Sequence, residues 1–142
     1  AKPKAGLYPQ PAIALDFLPT AVTLAGGEIP RDRVIDGVNL IPYLTGENTA
    51  APHERLFWRA QGPKGNHAFR QGQWKFVQKA NSAPQLYDLS ADVGESKDLA
   101  AQKPELIAQY SAAIAEWEKG TIPPLFESPK GPKPAPKKKA KK

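Results

Sequence analysis

Few residues of this chain could do chemistry, and they are scattered along it. There is no cysteine, which removes disulfides, thiolate metal sites and a cysteine nucleophile. Two histidines, His53 and His67, sit in different elements. His67 opens an aromatic run, HAFRQGQWKFV (67–77), directly after the glycine-bearing stretch QGPKGN. It reads either as a surface or edge histidine or as a substrate contact. Arg70 in the same run, and Arg59 before it, could each grip an anion, because a guanidinium presents a fixed fork of donors. The plainer reading is an arginine solvated on a sheet's outer face. His67 and Arg70 are therefore the candidate substrate-binding residues. No residue carries a catalytic or metal-binding assignment.

Other motifs fall short of a site. SAPQL (82–86) matches half of a Ser-x-Pro-x-Arg pattern, but Leu86 stands where the arginine belongs. Ser82 then reads as part of a β-turn. Asp88, Asp92, Glu95 and Asp98 bring four carboxylates into a short span, yet their spacing is not that of an EF-hand loop. SADVGESKDL reads better as a turn whose carboxylates accept backbone N–H groups. No glycine-rich loop leads into a periodic helix, so no phosphate cradle is expected.

The elements that would position these groups follow from periodicity. Leu15, Leu18, Val22 and Ala25 recur on one helical face. Pro19 suits a first turn, where its missing N–H costs nothing. A regular helix is expected over 18–25, after an irregular turn opened by Asp16 and before a stop at Gly26–Gly27. A short helical turn is expected near 39–44 and a loop over 45–54. Four strands follow, at 55–60, 66–71, 73–79 and 85–90, rich in aromatic and β-branched residues. Gly72 marks a tight hairpin between the second and third. Trp74 and Phe76 share one face, Lys75 and Val77 the other, as in an antiparallel sheet with one side covered. The cover is a final helix over KPELIAQYSAAIAEWEKG, with Ile107, Tyr110, Ile114 and Trp117 as its apolar stripe.

The formal net charge of +6 misleads as a single figure. Residues 129–142 hold seven lysines and no acid, and the remainder balances 13 Lys and Arg against 14 Asp and Glu. That segment, proline-rich and poor in apolar residues, is expected to be disordered. Its lysines would attract polyanions nonspecifically, with no interleaved aromatic or arginine to read a base. No apolar run is long enough for a membrane span. The chain starts without a signal-peptide pattern and contains no Met, so it reads as a processed product or a fragment.

Taken in order, ALDFLPTAVTLAGGEIP, DGVNLIPYLTGE, RLFWR, HAFRQGQWKFV, LYDLSADVGESKDLA and PELIAQYSAAIAEWE resemble the C-terminal part of a formylglycine-dependent sulfatase. This is the arylsulfatase family of the alkaline-phosphatase superfamily. The resemblance spans roughly residues 6–119 and implies an α+β fold. Residues 1–50 would be the edge of a large α/β domain. Residues 51–120 would be a small subdomain, a four-stranded antiparallel sheet packed on a C-terminal helix. Residues 121–142 would be the tail. The resemblance also implies calcium and a formylglycine in the parent enzyme, both held by residues that precede this region, and none bound here. Its implied partners are a missing N-terminal sulfatase domain and a sulfated substrate, with carbohydrates as a candidate class. The family implies a periplasmic, secreted or lysosomal setting. The chain alone is expected to be inactive, supplying scaffold and, through GNHAFR, part of a pocket wall. Two alternatives remain open: a stand-alone module that binds anionic polymers through its lysines, and a phosphodiester or phosphonate hydrolase of the same superfamily.

Overall fold

A computed structural model describes residues 6–60 and 65–122. The lysine-rich segment and most of the QGPKGN loop lie outside the described residues. The chain divides between Leu56 and Phe57 into two compact units.

The first unit is built around two short helices, α1 (Phe17–Leu24) and α2 (Ile41–Thr45). A 3-10 turn, Ala14–Asp16, leads into α1, so the irregular entry expected at Asp16 is present. Helix α1 ends in a Schellman arrangement. Gly26 adopts φ +74°, its N–H donates to Thr23 O at 3.1 Å, and the Gly27 N–H donates to Val22 O at 2.9 Å. Only a residue that tolerates positive φ closes a helix this way. Leu15 and Leu18 are exposed, as are Phe17 and Leu24, while Asp16 and Pro19 are fully buried. Apolar periodicity found the helix, and most of the face it marks is exposed among the described residues.

The second unit is a four-stranded antiparallel sheet in the order β1–β2–β3–β4, with a C-terminal helix. The strands are β1 (Arg55–Ala60), β2 (Asn66–Gln71), β3 (Trp74–Gln78) and β4 (Gln85–Asp88), and the helix is α3 (Pro104–Lys119). Gln71 pairs with Trp74, which leaves Gly72–Gln73 as a two-residue hairpin loop. Gly72 takes φ +57° there, a conformation that such tight loops demand and that glycine supplies without strain. Phe69 pairs with Phe76, and Phe76 with Leu86, so three fully buried side chains form one row across the sheet. Tyr110 and Ile114 of α3 close over that row. Phe57 stacks on Trp117 at 5.1 Å and tilts against Phe69 at 4.9 Å, and Phe69 meets Tyr110 at 4.7 Å. The expected stripe of Ile107, Tyr110, Ile114 and Trp117 therefore faces the sheet.

The far edge of β4 is covered by its own continuation. The Leu86 N–H donates to Asp98 Oδ1 at 3.0 Å, and the Leu99 N–H donates back to Leu86 O at 2.8 Å. This satisfies an edge that would otherwise invite pairing with another chain.

Replacing Phe69 by Ala opens a cavity in the middle of the ring cluster and is expected to cost about 3–5 kcal/mol. Trp117→Ala, at a half-buried position, should cost less. Chemical denaturation followed by tryptophan fluorescence and circular dichroism checks the ranking. An equal or reversed order would place the core elsewhere.

Candidate functional site

Each unit contains one buried charged node. In the first unit the node is Asp16. Its carboxylate is fully buried and accepts from three groups. The Ile13 N–H donates to Oδ2 at 2.8 Å and the Val38 N–H to Oδ1 at 2.9 Å. His53 Nε2 lies 2.8 Å from Oδ1 and 3.0 Å from Oδ2; opposite a carboxylate that nitrogen carries the proton. Burial pushes the Asp16 carboxyl up, while the bonds from Ile13, Val38 and His53 pull it down, and the net result is a pKa below the usual carboxylate range.

The same region is pinned at two more points. Thr20 Oγ1 accepts the Leu40 N–H at 2.9 Å and donates to Val38 O at 3.4 Å. A Cβ at Gly37 would fall 2.1 Å from Leu15 O, closer than any side chain can approach. The DFLPT and DGVNL motifs are thus one interlocked piece: the aspartate and threonine of the first bind the backbone of the second, and the glycine of the second makes room for the first. Sequence reasoning missed this node. The available signals were an aspartate inside an otherwise apolar helix start and a histidine with no assigned role. Asp16 and His53 lie 37 residues apart, and nothing in local periodicity couples them.

In the second unit the node is His67. It is only 7% exposed, and β2 is an interior strand, so it is neither a surface nor an edge histidine. Its Nε2 lies 2.8 Å from Oε1 of Glu118 on α3. Arg59 reaches the same carboxylate oxygen at 4.0 Å. Arg59 also donates to Thr121 Oγ1 at 2.7 Å and to Ile122 O at 2.8 Å, with its guanidinium 6.0 Å from the Trp117 ring. It clamps the end of α3 to the sheet and is not a solvated outer-face arginine. Beside His67 lies a cavity of about 360 Å³ between the β3–β4 turn and α3.

His67 and Arg70 are not brought together. Side chains alternate along a strand, and His67 and Phe69 face α3, which sends Arg70 to the opposite side. There its Nε donates to Gly72 O at 3.1 Å, bracing the hairpin. On that side Lys75 pairs with Glu95. Tyr87, opposite Lys75 in the ladder, is buried, and its hydroxyl is held above its ordinary pKa by that burial and by Asp98, Glu95 and Asp92. Three of the four carboxylates, Asp88, Asp92 and Asp98, behave as turn formers, and the fourth, Glu95, pairs with Lys75. Asp88 accepts the Ser90 N–H at 2.9 Å, Asp92 accepts those of Ser96 and Lys97 at 2.7 and 2.8 Å, and Asp98 accepts those of Leu86 and Ala100. Ser82 lies in the turn after β3, its N–H donating to Lys79 O at 3.1 Å.

No family model matches the chain. Individual relatives do. Bovine arylsulfatase A is 30% identical over 137 residues, which is 80% of this chain and 27% of that protein. The choline-sulfatase of Rhizobium meliloti (strain 1021) is 35% identical over 96 residues, covering 67% of this chain and 19% of that protein. The chain belongs to the sulfatase family. It has the sequence of a sulfatase C-terminal part and spans about a quarter of the arylsulfatase A chain. Among solved structures, Ps i-CgsB in complex with k-i-k-neocarrahexaose aligns with a TM-score of 0.64 at 25% identity, over 77% of this chain and 24% of that one. The fold extends beyond sulfate chemistry. The phosphonate monoester hydrolase of Agrobacterium radiobacter aligns with a TM-score of 0.54 at 24% identity, over 76% of this chain and 25% of that one.

Asp16→Ala leaves the Ile13 and Val38 N–H groups and His53 without their buried acceptor, and is expected to cost about 3–5 kcal/mol. Asp16→Asn isolates the charge. Because the folded pKa of Asp16 is lowered, its contribution is complete above the ordinary aspartate range. It is lost as pH falls below about 4 and through the folded value. Hydrogen exchange at the Val38 amide, compared between wild type and Asp16→Asn across that window, reads the effect. Wild type should lose protection on acidification and the variant should change less. Parallel curves would remove Asp16 as the titrating group.

Proposed function

We propose that this chain is the C-terminal portion of a sulfatase that hydrolyses sulfate esters, with carbohydrates as the substrate class. The supporting observation is the 30% identity to arylsulfatase A across 80% of the chain, together with the structural likeness to a protein solved with a neocarrahexaose. In this reading the sheet and α3 are scaffold. The β2 end of the sheet, with His67 on one face and Arg70 on the other, contributes to the wall of a substrate pocket.

The chemistry itself lies in the rest of the parent. Calcium and a formylglycine are implied there by family membership, and the residues of this chain do not fit either. Among the described residues no three His, Asp or Glu side chains converge on a metal position. There is no cysteine, and Ser82 lacks the arginine of the modification pattern. No catalytic step is assigned to this chain. The exposed Leu15, Phe17, Leu18 and Leu24 on and beside α1 are proposed to be covered by the large N-terminal domain of the parent, since apolar surface grouped on one helix marks a contact. The lysines of 129–142 are proposed to give weak, salt-sensitive attraction to polyanions.

Two assays test the reading. The pure 142-residue chain should turn over no aryl sulfate, because transition-state stabilisation needs a nucleophile and metal in place. A longer protein that contains this chain behind a large sulfatase domain should cleave sulfated sugars. Preferred cleavage of a phosphonate monoester by that protein would instead favour the phosphonate-hydrolase alternative, and turnover by the chain alone would overturn the assignment of the chemistry to the rest of the parent.

A further inference from the structure

The cavity beside His67 has a composition that scaffold alone does not require. Its polar lining is His67, Gln78, Lys79, Asn81, Ser111 and Glu118, over a floor of Ile114 and Ala115. The charges do not cancel. Glu118 is matched by His67 at 2.8 Å and by Arg59 at 4.0 Å. Lys79 has no ion-pair partner among the described residues, and it remains as the unmatched positive charge. Gln78, Asn81 and Ser111 likewise make no side-chain hydrogen bond among the described residues. Each of these three can both donate and accept, which suits hydroxyl groups, themselves both donors and acceptors. Gln78 closes β3, Ser111 stands on α3, and Asn81 lies in the turn between β3 and β4, where it sits at φ 59° beside an Ala80 N–H that donates to Asn66 Oδ1 at 2.9 Å. A volume of about 360 Å³ falls in the range of small-molecule sites.

We infer that this cavity binds one sugar unit carrying a single anionic group, with Lys79 on the anion, Gln78, Asn81 and Ser111 on ring hydroxyls, and the Ile114–Ala115 floor beneath the ring. The His67–Glu118 pair holds the rear wall, joining β2 to α3 so that the pocket keeps its width. The choice of a sugar rests on the carbohydrate reading above; the combination of one unmatched cation with three amphiprotic groups does not.

The test is a titration of the full ¹⁵N-labelled chain, followed by amide shifts, with glucosamine 6-sulfate, glucuronate, glucose and inorganic sulfate. Both anionic sugars should give saturable shifts at residues 78–81, 111 and 118. Glucose and inorganic sulfate should each bind at least several-fold more weakly, lacking either the charge or the ring. Lys79→Ala, at an exposed position that leaves the fold intact, should weaken the anionic sugars about tenfold, the loss of one charge-assisted contact. Ser111→Phe, judged by a retained wild-type spectrum elsewhere, should abolish the shifts by filling the space. Shifts confined to the lysines of 130–142, equal response to inorganic sulfate, or unchanged affinity in Lys79→Ala would each overturn the inference. A silent titration beside an active longer sulfatase would defeat the pocket and leave the family reading standing.

Discussion

A buried carboxylate must be surrounded by donors or it will not stay ionised, and that requirement organises the first unit around Asp16. Removing a carboxylate from water costs several kcal/mol before anything is regained. Here the return comes from two backbone N–H groups and an imidazole, contributed by three separate stretches of chain. Few other arrangements of residues 13–53 place Ile13, Val38 and His53 around one point. The helices in this unit are short, eight and five residues, and helices of that length are not stable by themselves. The polar node does the positioning that a larger apolar core would otherwise do. The apolar face of α1 is left free for another surface.

The second unit solves the same problem with the opposite balance. Its core is a row of Phe69, Phe76 and Leu86 under Tyr110 and Ile114, and the charged pair sits at the margin. Register and polarity agree there. The period-2 pattern of β3 puts Trp74 and Phe76 toward α3 and Lys75 outward, and Lys75 then meets Glu95 from the loop that returns along β4. Agreement between local pattern and global pairing of this kind is what gives a sequence a single fold.

That agreement also explains how much was legible in the sequence. The four strands, the hairpin at Gly72, the Schellman stop at Gly26 and the stripe of α3 all follow from signals within one turn or one strand of each other. The strands expected over 73–79 and 85–90 are shorter, Trp74–Gln78 and Gln85–Asp88, because the chain at their ends has turned while its residues still favour extension: Leu89 already donates to Gln73 O from outside the ladder. The exposure of the apolar face of α1 has a different origin. Periodicity reports which residues are apolar, and only the tertiary partner decides which of them are covered. Both charged nodes were illegible, since Asp16 to His53 and His67 to Glu118 are long-range pairs whose members look ordinary in isolation.

The alternation of side chains along β2 sets the limit on what this region can do in a sulfatase. His67 and Arg70 are three residues apart, an odd number, so a regular strand must send them to opposite faces. A single small ligand therefore cannot be gripped by both unless it wraps the edge of the sheet. The two sides are also chemically unlike. Arg70's side carries the Lys75–Glu95 pair and a turn whose Asp88, Asp92 and Asp98 accept backbone N–H groups. His67's side has a cavity whose lysine and three amphiprotic groups have no side-chain partner among the described residues. Of the two faces, the α3 face is the one that combines a cavity with polar side chains left over after the helix is held by Glu118 and Arg59.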